Sequence, residues 1–241
     1  MKRLLSAVLV AGALTTSVLA QQVYDLTINP TKGQKVAYEM KLASQNLQTE
    51  AGGFNLNVNL KSVTTFLDVT DKEIVSEDEV TKFEVLINGN PIDAAAGQMS
   101  GAKTKITRSR DGKILKVEGG NPMQENAGFQ NMMNLAVPTG KVKVGDEVIT
   151  EIKADKEKNI KAGRVKMNVA GTKVVDGKTL VELKIAFSEL EGNRPMGMVG
   201  TVLIEAGTGM MHSMKASMND ISFNEMMPPM NMTMEMTRVP V

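Results

Sequence analysis

Apolar and polar residues alternate strictly along much of the chain. In residues 54–61, four apolar side chains are interleaved with three asparagines and a lysine. Successive side chains of a β-strand point to opposite faces, so this pattern predicts a strand with one apolar and one solvated face. Similar runs cover residues 80–87, 165–169 and 183–187. The chain is therefore predicted to fold mainly as antiparallel β-sheet.

Short stretches rich in Gly, Asp and Lys separate the alternating runs. Gly accepts positive φ and Asp bonds to nearby backbone groups, so both residues suit the tight turns of hairpins. Such stretches occur at residues 31–33, 71–72, 110–113, 176–178 and 207–209. Consecutive strands are therefore predicted to be joined by short turns.

One segment, residues 122–135, has helical character. Asn121 is suited to the N-cap, Pro122 to the first helical position, and Pro138 lies beyond the end. Gly128 lowers the helix propensity of the segment. We predict one short helix here.

Three pairs of segments indicate an internal repeat. The first member of each pair is similar to the second: residues 33–41 to 145–153, 63–75 to 169–181, and 106–117 to 203–214. We therefore predict two related β halves, 21–120 and 139–241, joined by a helical connector at 121–138. We expect the halves to form a curved sheet, a sandwich or a partly open barrel.

The N-terminus has the organisation of a secretory signal. Residues 2–3 are basic, residues 4–19 are largely apolar, and Ala20 is a small residue suited to cleavage. We predict a signal peptide at residues 1–20 and an exported protein that is periplasmic or secreted. The apolar stretch is short for an anchor, which needs about 20 apolar residues, so no stable membrane span is expected after cleavage.

Composition excludes several classes of site. The 241 residues include no Cys and one His, at position 212. Without Cys the chain has no disulfide, no thiolate nucleophile and no lipid-modified Cys, so a lipoprotein is excluded. One His excludes a multi-histidine metal site within one chain. The formal charge is +1, from 28 Lys and Arg against 27 Asp and Glu, which does not favour nucleic acid as a partner.

Three turn-and-strand stretches follow the predicted signal in order. They are Val-Thr-Asp-Lys-Glu-Ile-Val at 69–75, Arg-Asp-Gly-Lys-Ile-Leu at 110–115, and Val-Pro-Thr-Gly-Lys-Val-Lys-Val-Gly-Asp at 137–146. This order resembles exported bacterial families of unknown function built from two related antiparallel β halves, in which Pro and then Val-Lys-Val-Gly-Asp begin the second half. Trp often follows in those families, whereas Val148 and Ile149 stand near that point here. The resemblance implies a fold and export, and no activity.

Twelve of the 19 methionines lie between residues 196 and 236. Four of them alternate with polar residues and predict a last strand with one apolar face: Met230, Met232, Met234 and Met236. Because Met is flexible, this face suits either the packing of a core with eight aromatic residues or the binding of an apolar ligand or protein segment. A further interpretation is a partly docked C-terminal segment, since two prolines precede it.

A soft-metal site is the alternative hypothesis for the same region. Thioethers bind Cu(I) and Ag(I) in preference to hard cations. If residues 208–218 form a strand, Met210, His212 and Met214 share one face and offer two sulfurs and one nitrogen. Copper is then the expected cofactor.

The chain lacks the sequence signatures of the common enzyme classes. It has no G-x-S-x-G, no Gly-rich phosphate loop and no H-E-x-x-H. Its carboxylates, such as those at 77–79, are interpreted as solvated faces. We therefore expect a non-catalytic, exported binding or interaction protein whose partner is an apolar ligand or an envelope protein.

Overall fold

A computed structural model describes residues 22–49, 52–92, 99–110, 112, 114–119, 140–154, 161–191, 194–221 and 229–241. The predicted signal peptide and the predicted helix at 122–135 lie outside the described residues. No helix within the described ranges has the length and apolar character needed to cross a membrane.

The prediction of a mainly antiparallel β fold is confirmed. The strands are β1 (Val23–Asp25), β2 (Lys35–Thr49), β3 (Gly52–Val69), β4 (Glu73–Ile87), β5 (Asn90–Pro91), β6 (Lys103–Ser109), β7 (Ile114–Glu118), β8 (Lys141–Lys143), β9 (Glu147–Ile152), β10 (Gly163–Val175), β11 (Lys178–Glu189), β12 (Gly197–Glu205), β13 (Met211–Ile221) and β14 (Met230–Val239).

Twelve of these strands form one large sheet, which is open and curved. Its order is β7-β6-β4-β3-β2-β14-β13-β12-β11-β10-β9, and the short β5 pairs with β4. The chain runs outward from β2 to the edge strand β7, enters again at the opposite edge as β9, and returns inward to β14. The first and last long strands, β2 and β14, therefore meet in the middle, where Glu39 pairs with Thr237.

One face of this sheet carries the core, and we call it the inner face. Leu56 and Val58 of β3 are buried there, while the asparagine between them, Asn57, points to the outer face. One inner row crosses eight neighbouring strands: Val169, Leu183, Val202, Met214, Met236, Met40, Leu60 and Phe83. Burial of each large apolar side chain contributes roughly 1.5–3 kcal/mol, so rows of this kind hold the sheet together.

Gly200 occupies an inner-face position between Met198 and Val202 of β12. A Cβ atom there would overlap the carbonyl oxygen of Lys215 and the side chain of Ala216 on β13. Glycine is therefore needed for the close approach of these two strands, as is common where a sheet bends.

The first turns of the two halves share one hydrogen-bond arrangement. Gly33 N donates to Phe66 O over 2.7 Å, and Gly145 N donates to Val169 O over 2.8 Å. Each partner, Phe66 or Val169, stands at a β-bulge of its strand. Gly33 and Gly145, which occupy matching positions of the predicted repeat, thus make the same kind of hydrogen bond. The division into two halves stays a prediction, and its connector lies outside the described residues.

A second, two-stranded sheet is formed by β1 and β8. The segment after β1 contacts the β12–β13 turn, where Asn29 N donates to Thr208 O over 3.0 Å. Leu26 is fully buried, and Tyr24 and Val142 join it in the main core cluster. The small sheet thus packs against the inner face and joins residues near the starts of the two predicted halves.

Candidate functional site

The predicted Met stripe lies on the inner face in the centre of the sheet. Met230 and Met232 are each 3% exposed, Met234 is fully buried, and Met236 is half-buried. Met236 stands directly opposite Met214 of β13 on one side and Met40 of β2 on the other. The stripe is therefore part of a larger methionine cluster that spans three neighbouring strands.

This cluster belongs to the main core of the molecule. Ten buried methionines contribute to that core: Met40, Met99, Met167, Met196, Met198, Met214, Met218, Met230, Met232 and Met234. Unbranched thioether side chains adapt their shape at low cost, so this part of the core can repack more readily than one made of branched residues. In the structure the face is shielded from solvent, and a ligand on it would have to displace side chains that now pack together.

The predicted Met210–His212–Met214 group is divided by a β-bulge. Leu203 pairs with Ser213 and Ile204 with Met211, so His212 is the extra residue. Because of this shift, Met211 is the residue that packs with Met214 against the main cluster. Met210 instead packs into a second cluster with Val36, Phe66 and Ile74.

The structure does not show these three residues as one ligand set. Nδ1 of His212 is buried and lacks a hydrogen-bond partner. Across the part of the chain that is described, no three His, Asp or Glu side chains are grouped as ligands for a metal ion. That search does not cover thioether donors, so the soft-metal hypothesis stays a prediction.

A group of polar residues on the inner face was missed by the sequence analysis. We call it the polar patch and define it by Tyr38, Thr64, Ser76, Asp78 and Arg108. Along β4 it lies between the two apolar clusters, because Ile74 belongs to the smaller cluster and Val80 to the larger one. Thr64 pairs directly with Asp78 in the register of β3 and β4.

Two buried side-chain atoms of the patch have no hydrogen-bond partner in the structure. Ser76 is 1% exposed and its Oγ makes no hydrogen bond, and Oδ1 of Asp78 is likewise buried and unpaired. Asp78 and Arg108 are both half-buried, and no ion pair joins them within the described residues. An unsatisfied buried polar group costs about 1–3 kcal/mol, so such a concentration calls for an explanation.

The electrostatics of the patch follow from its position in the core. Burial raises the pKa of Tyr38 to about 12, and the Tyr38 hydroxyl donates to the Met211 carbonyl over 3.2 Å. Burial also raises the pKa of Asp78, against the opposing effects of the Thr64 hydroxyl and the Arg108 charge. Burial lowers the pKa of Arg108, while Asp78 acts in the other direction. Burial thus disfavours the charged form of both groups, and the attraction between Asp78 and Arg108 opposes it.

The signal for this patch is present in the sequence of β4. The inward positions of that strand are Ile74, Ser76, Asp78 and Val80, so two polar residues lie between two apolar ones with the same two-residue spacing. The run at 77–79 was interpreted as a uniformly solvated acidic stretch. Alternation separates Asp78 from Glu77 and Glu79, which form ion pairs with Lys103.

A shallow groove of about 530 Å³ lies on the outer face, in the part of the chain that the structure describes. It is lined on the outer face by Ala43, Val199, Ser217 and Thr233, and none of its lining residues is charged. Val199 is 61% exposed, but its neighbours are small or polar.

Comparison with models of known protein families and with curated proteins finds no match. The resemblance to exported two-half β families therefore stays a prediction.

Proposed function

We propose that this chain is an exported, non-catalytic binding protein that holds an apolar molecule, or the apolar part of one, against the inner face. The observation that supports this most directly is the row in which Met214, Met236 and Met40 stand side by side on three adjacent strands. Met side chains can change rotamer to admit a ligand, and they suit partners of varied shape.

The open sheet also supports the proposal. Its edges, β7 and β9, are separated by nine other strands in the order, and no pairing joins them in the described part of the chain. Such a sheet can change its curvature without breaking a closed hydrogen-bond ring. A ligand can then enter between side chains of the inner face at the cost of small displacements of the strands.

Thermal unfolding in the presence of an apolar probe tests this proposal. The purified protein is heated with and without a neutral long-chain ester, and native mass spectrometry records the bound species. At a probe concentration of about 100 times Kd, binding adds roughly 2.7 kcal/mol to the stability of the folded state and raises Tm. No retained ligand and no shift with any apolar probe would overturn the proposal.

A second proposal is Cu(I) or Ag(I) binding through Met210, His212 and Met214. The unpartnered Nδ1 of His212 favours it, because a buried imidazole nitrogen without a partner is available as a ligand. Anaerobic competition with a Cu(I) chelator compares the wild type with a variant in which all three residues are Ala. In this proposal the later methionines, such as Met236 opposite Met214, assist the three ligands. Equal Cu(I) affinity of the wild type and the triple variant would refute this site.

A further inference from the structure

The polar patch lies between the two apolar clusters of the inner face, and part of it reaches solvent. Val80, which follows the patch along β4, pairs with Ser62 and is part of the main core cluster. Asp78 and Arg108 themselves remain half-buried. A molecule whose chain lies along β2 and β3, over Leu42 and Met40, would thus have its end close to the patch residues Tyr38 and Thr64.

The patch holds hydrogen-bonding groups without a partner, and these include one carboxyl oxygen, Oδ1 of Asp78. Arg108 has five N–H donors and no ion pair in the described residues, and Ser76 offers an unused hydroxyl. Arg238, whose charge also acts on Tyr38, is already paired with Glu205. The Tyr38 hydroxyl already donates to Met211. Of the two arginines whose charges act on Tyr38, Arg108 is therefore the one without an ion pair in the described residues.

We infer that the polar patch binds the anionic head group, a carboxylate or phosphate, of an amphiphile whose apolar chain lies on the inner face. This inference rests on the proposed function and gives the chemical class of its ligand. Arg108 supplies the charge-assisted hydrogen bonds, and Ser76 adds a neutral one. The chain supplies the apolar contacts, so head and chain are both required.

Asp78 determines how the site responds to pH. In its neutral form the carboxyl can donate a hydrogen bond to the anion, whereas an ionised Asp78 would repel it. Burial raises the pKa of Asp78 and so favours the neutral form. Four other titratable groups interact with Asp78 or with one another here: Arg108, Tyr38, Arg238 and Glu205. Binding of an anion that stays charged, such as a phosphate monoester, should therefore strengthen as the pH falls toward the range in which Asp78 takes up a proton.

Fluorescence of cis-parinaric acid and its methyl ester separates the head from the chain. Both probes carry the same polyene chain, and only the acid has an anionic head. The wild type should bind the acid at least about tenfold more tightly than the ester, the effect of a charge-assisted hydrogen bond. Arg108→Met should remove this preference and leave the ester affinity unchanged.

Two further variants complete the test. Asp78→Asn keeps a neutral donor, so it should strengthen binding of the acid at neutral pH and flatten the pH dependence. Arg164→Met removes an arginine that pairs with Glu151 away from the patch, and should change neither probe. Circular dichroism and the ester affinity show whether each variant is folded.

The outcomes distinguish this inference from the proposed function. If neither probe binds, both are overturned. If acid and ester bind equally and Arg108→Met changes nothing, the apolar site stands and the head-group site is refuted. If butyrate, which has the head without a long chain, displaces the acid at equal concentration, the patch is a simple anion site and the amphiphile assignment is wrong.

Discussion

Arg238 of the last strand donates from Nη2 to Glu205 Oε2 over 2.5 Å. Lys178 donates to the same oxygen over 3.1 Å. The side chains of Arg238 and Glu205 are 18% and 14% exposed, so solvent screens this pair much less than the other ion pairs of the sheet. The network connects β14, β12 and β11 near the end of the sheet where β14 finishes.

Glu205→Gln should therefore destabilise the protein strongly. Removal of one partner of a largely buried pair leaves a charge without compensation and costs about 3 kcal/mol. Glu235→Gln is the matched control, because Glu235 pairs with Lys215 where the side chains are 56% and 73% exposed, and it should cost less than about 1 kcal/mol. Urea unfolding of both variants gives the comparison, and equal losses would show that the Glu205 network is no stronger than a surface pair.

The same network predicts a pH dependence of stability. Burial opposes ionisation of Glu205, but the bonds from Arg238 and Lys178 prevail and hold its pKa below the usual 4.5. The folded state therefore keeps the carboxylate charged at pH values where the unfolded chain already takes up a proton. This contribution is complete above pH 4.5 and is lost as the pH falls through the lowered pKa.

Urea unfolding of the wild type and Glu205→Gln across pH 3 to 7 measures this effect. The difference in unfolding free energy should be greatest at neutral pH and should shrink below pH 4.5. A difference that grows on acidification would contradict the assigned direction of the pKa shift.

The strands could be predicted from the sequence because alternation determines which side chains are buried. The buried positions Leu56 and Val58 of β3, and Met232 and Met234 of β14, follow directly from that pattern. The central pairing of β2 with β14 could not be predicted, since residues about 200 positions apart carry no local signal of their partnership.

The sites were harder to predict than the strands. Insertion of His212 as a bulge moves Met211 to the face expected for Met210, and one extra residue is enough to do this. Asp78 has acidic neighbours on both sides. Only its even spacing from the buried residues Ile74 and Val80 indicates that its side chain faces inward. Composition alone treats the three carboxylates of 77–79 as equivalent, whereas the strand geometry does not.

Gly209 should be more sensitive to substitution than Gly207 in the same turn. Both have positive φ, 62° and 82°, so a Cβ costs about 1 kcal/mol at either position. At Gly209 the Cβ would also overlap the Leu26 and Thr27 backbone, whereas at Gly207 it meets open space. Gly209→Ala should therefore lower the unfolding free energy well beyond Gly207→Ala.

Hydrogen exchange locates the effect of Gly209→Ala. The amide of Leu26 donates to Gly140 O over 2.8 Å, and its protection reports whether the segment after β1 stays in place. Protection of this amide should fall in Gly209→Ala and persist in Gly207→Ala. Equal protection in both variants would show that the turn does not hold the N-terminal segment.

Met234 tests how the stripe is packed in solution. Its side chain is fully buried next to Leu42 in the register of β14 and β2, so Met234→Ala should cost about 2–5 kcal/mol through lost contacts and a cavity. Met234→Leu keeps the volume and should cost less than about 1.5 kcal/mol. Met236→Ala, at a half-buried position of the same strand, should cost less than Met234→Ala. Denaturant unfolding ranks the three variants, and a loss below about 1 kcal/mol for Met234→Ala would mean that this part of the inner face is not a closed core without ligand.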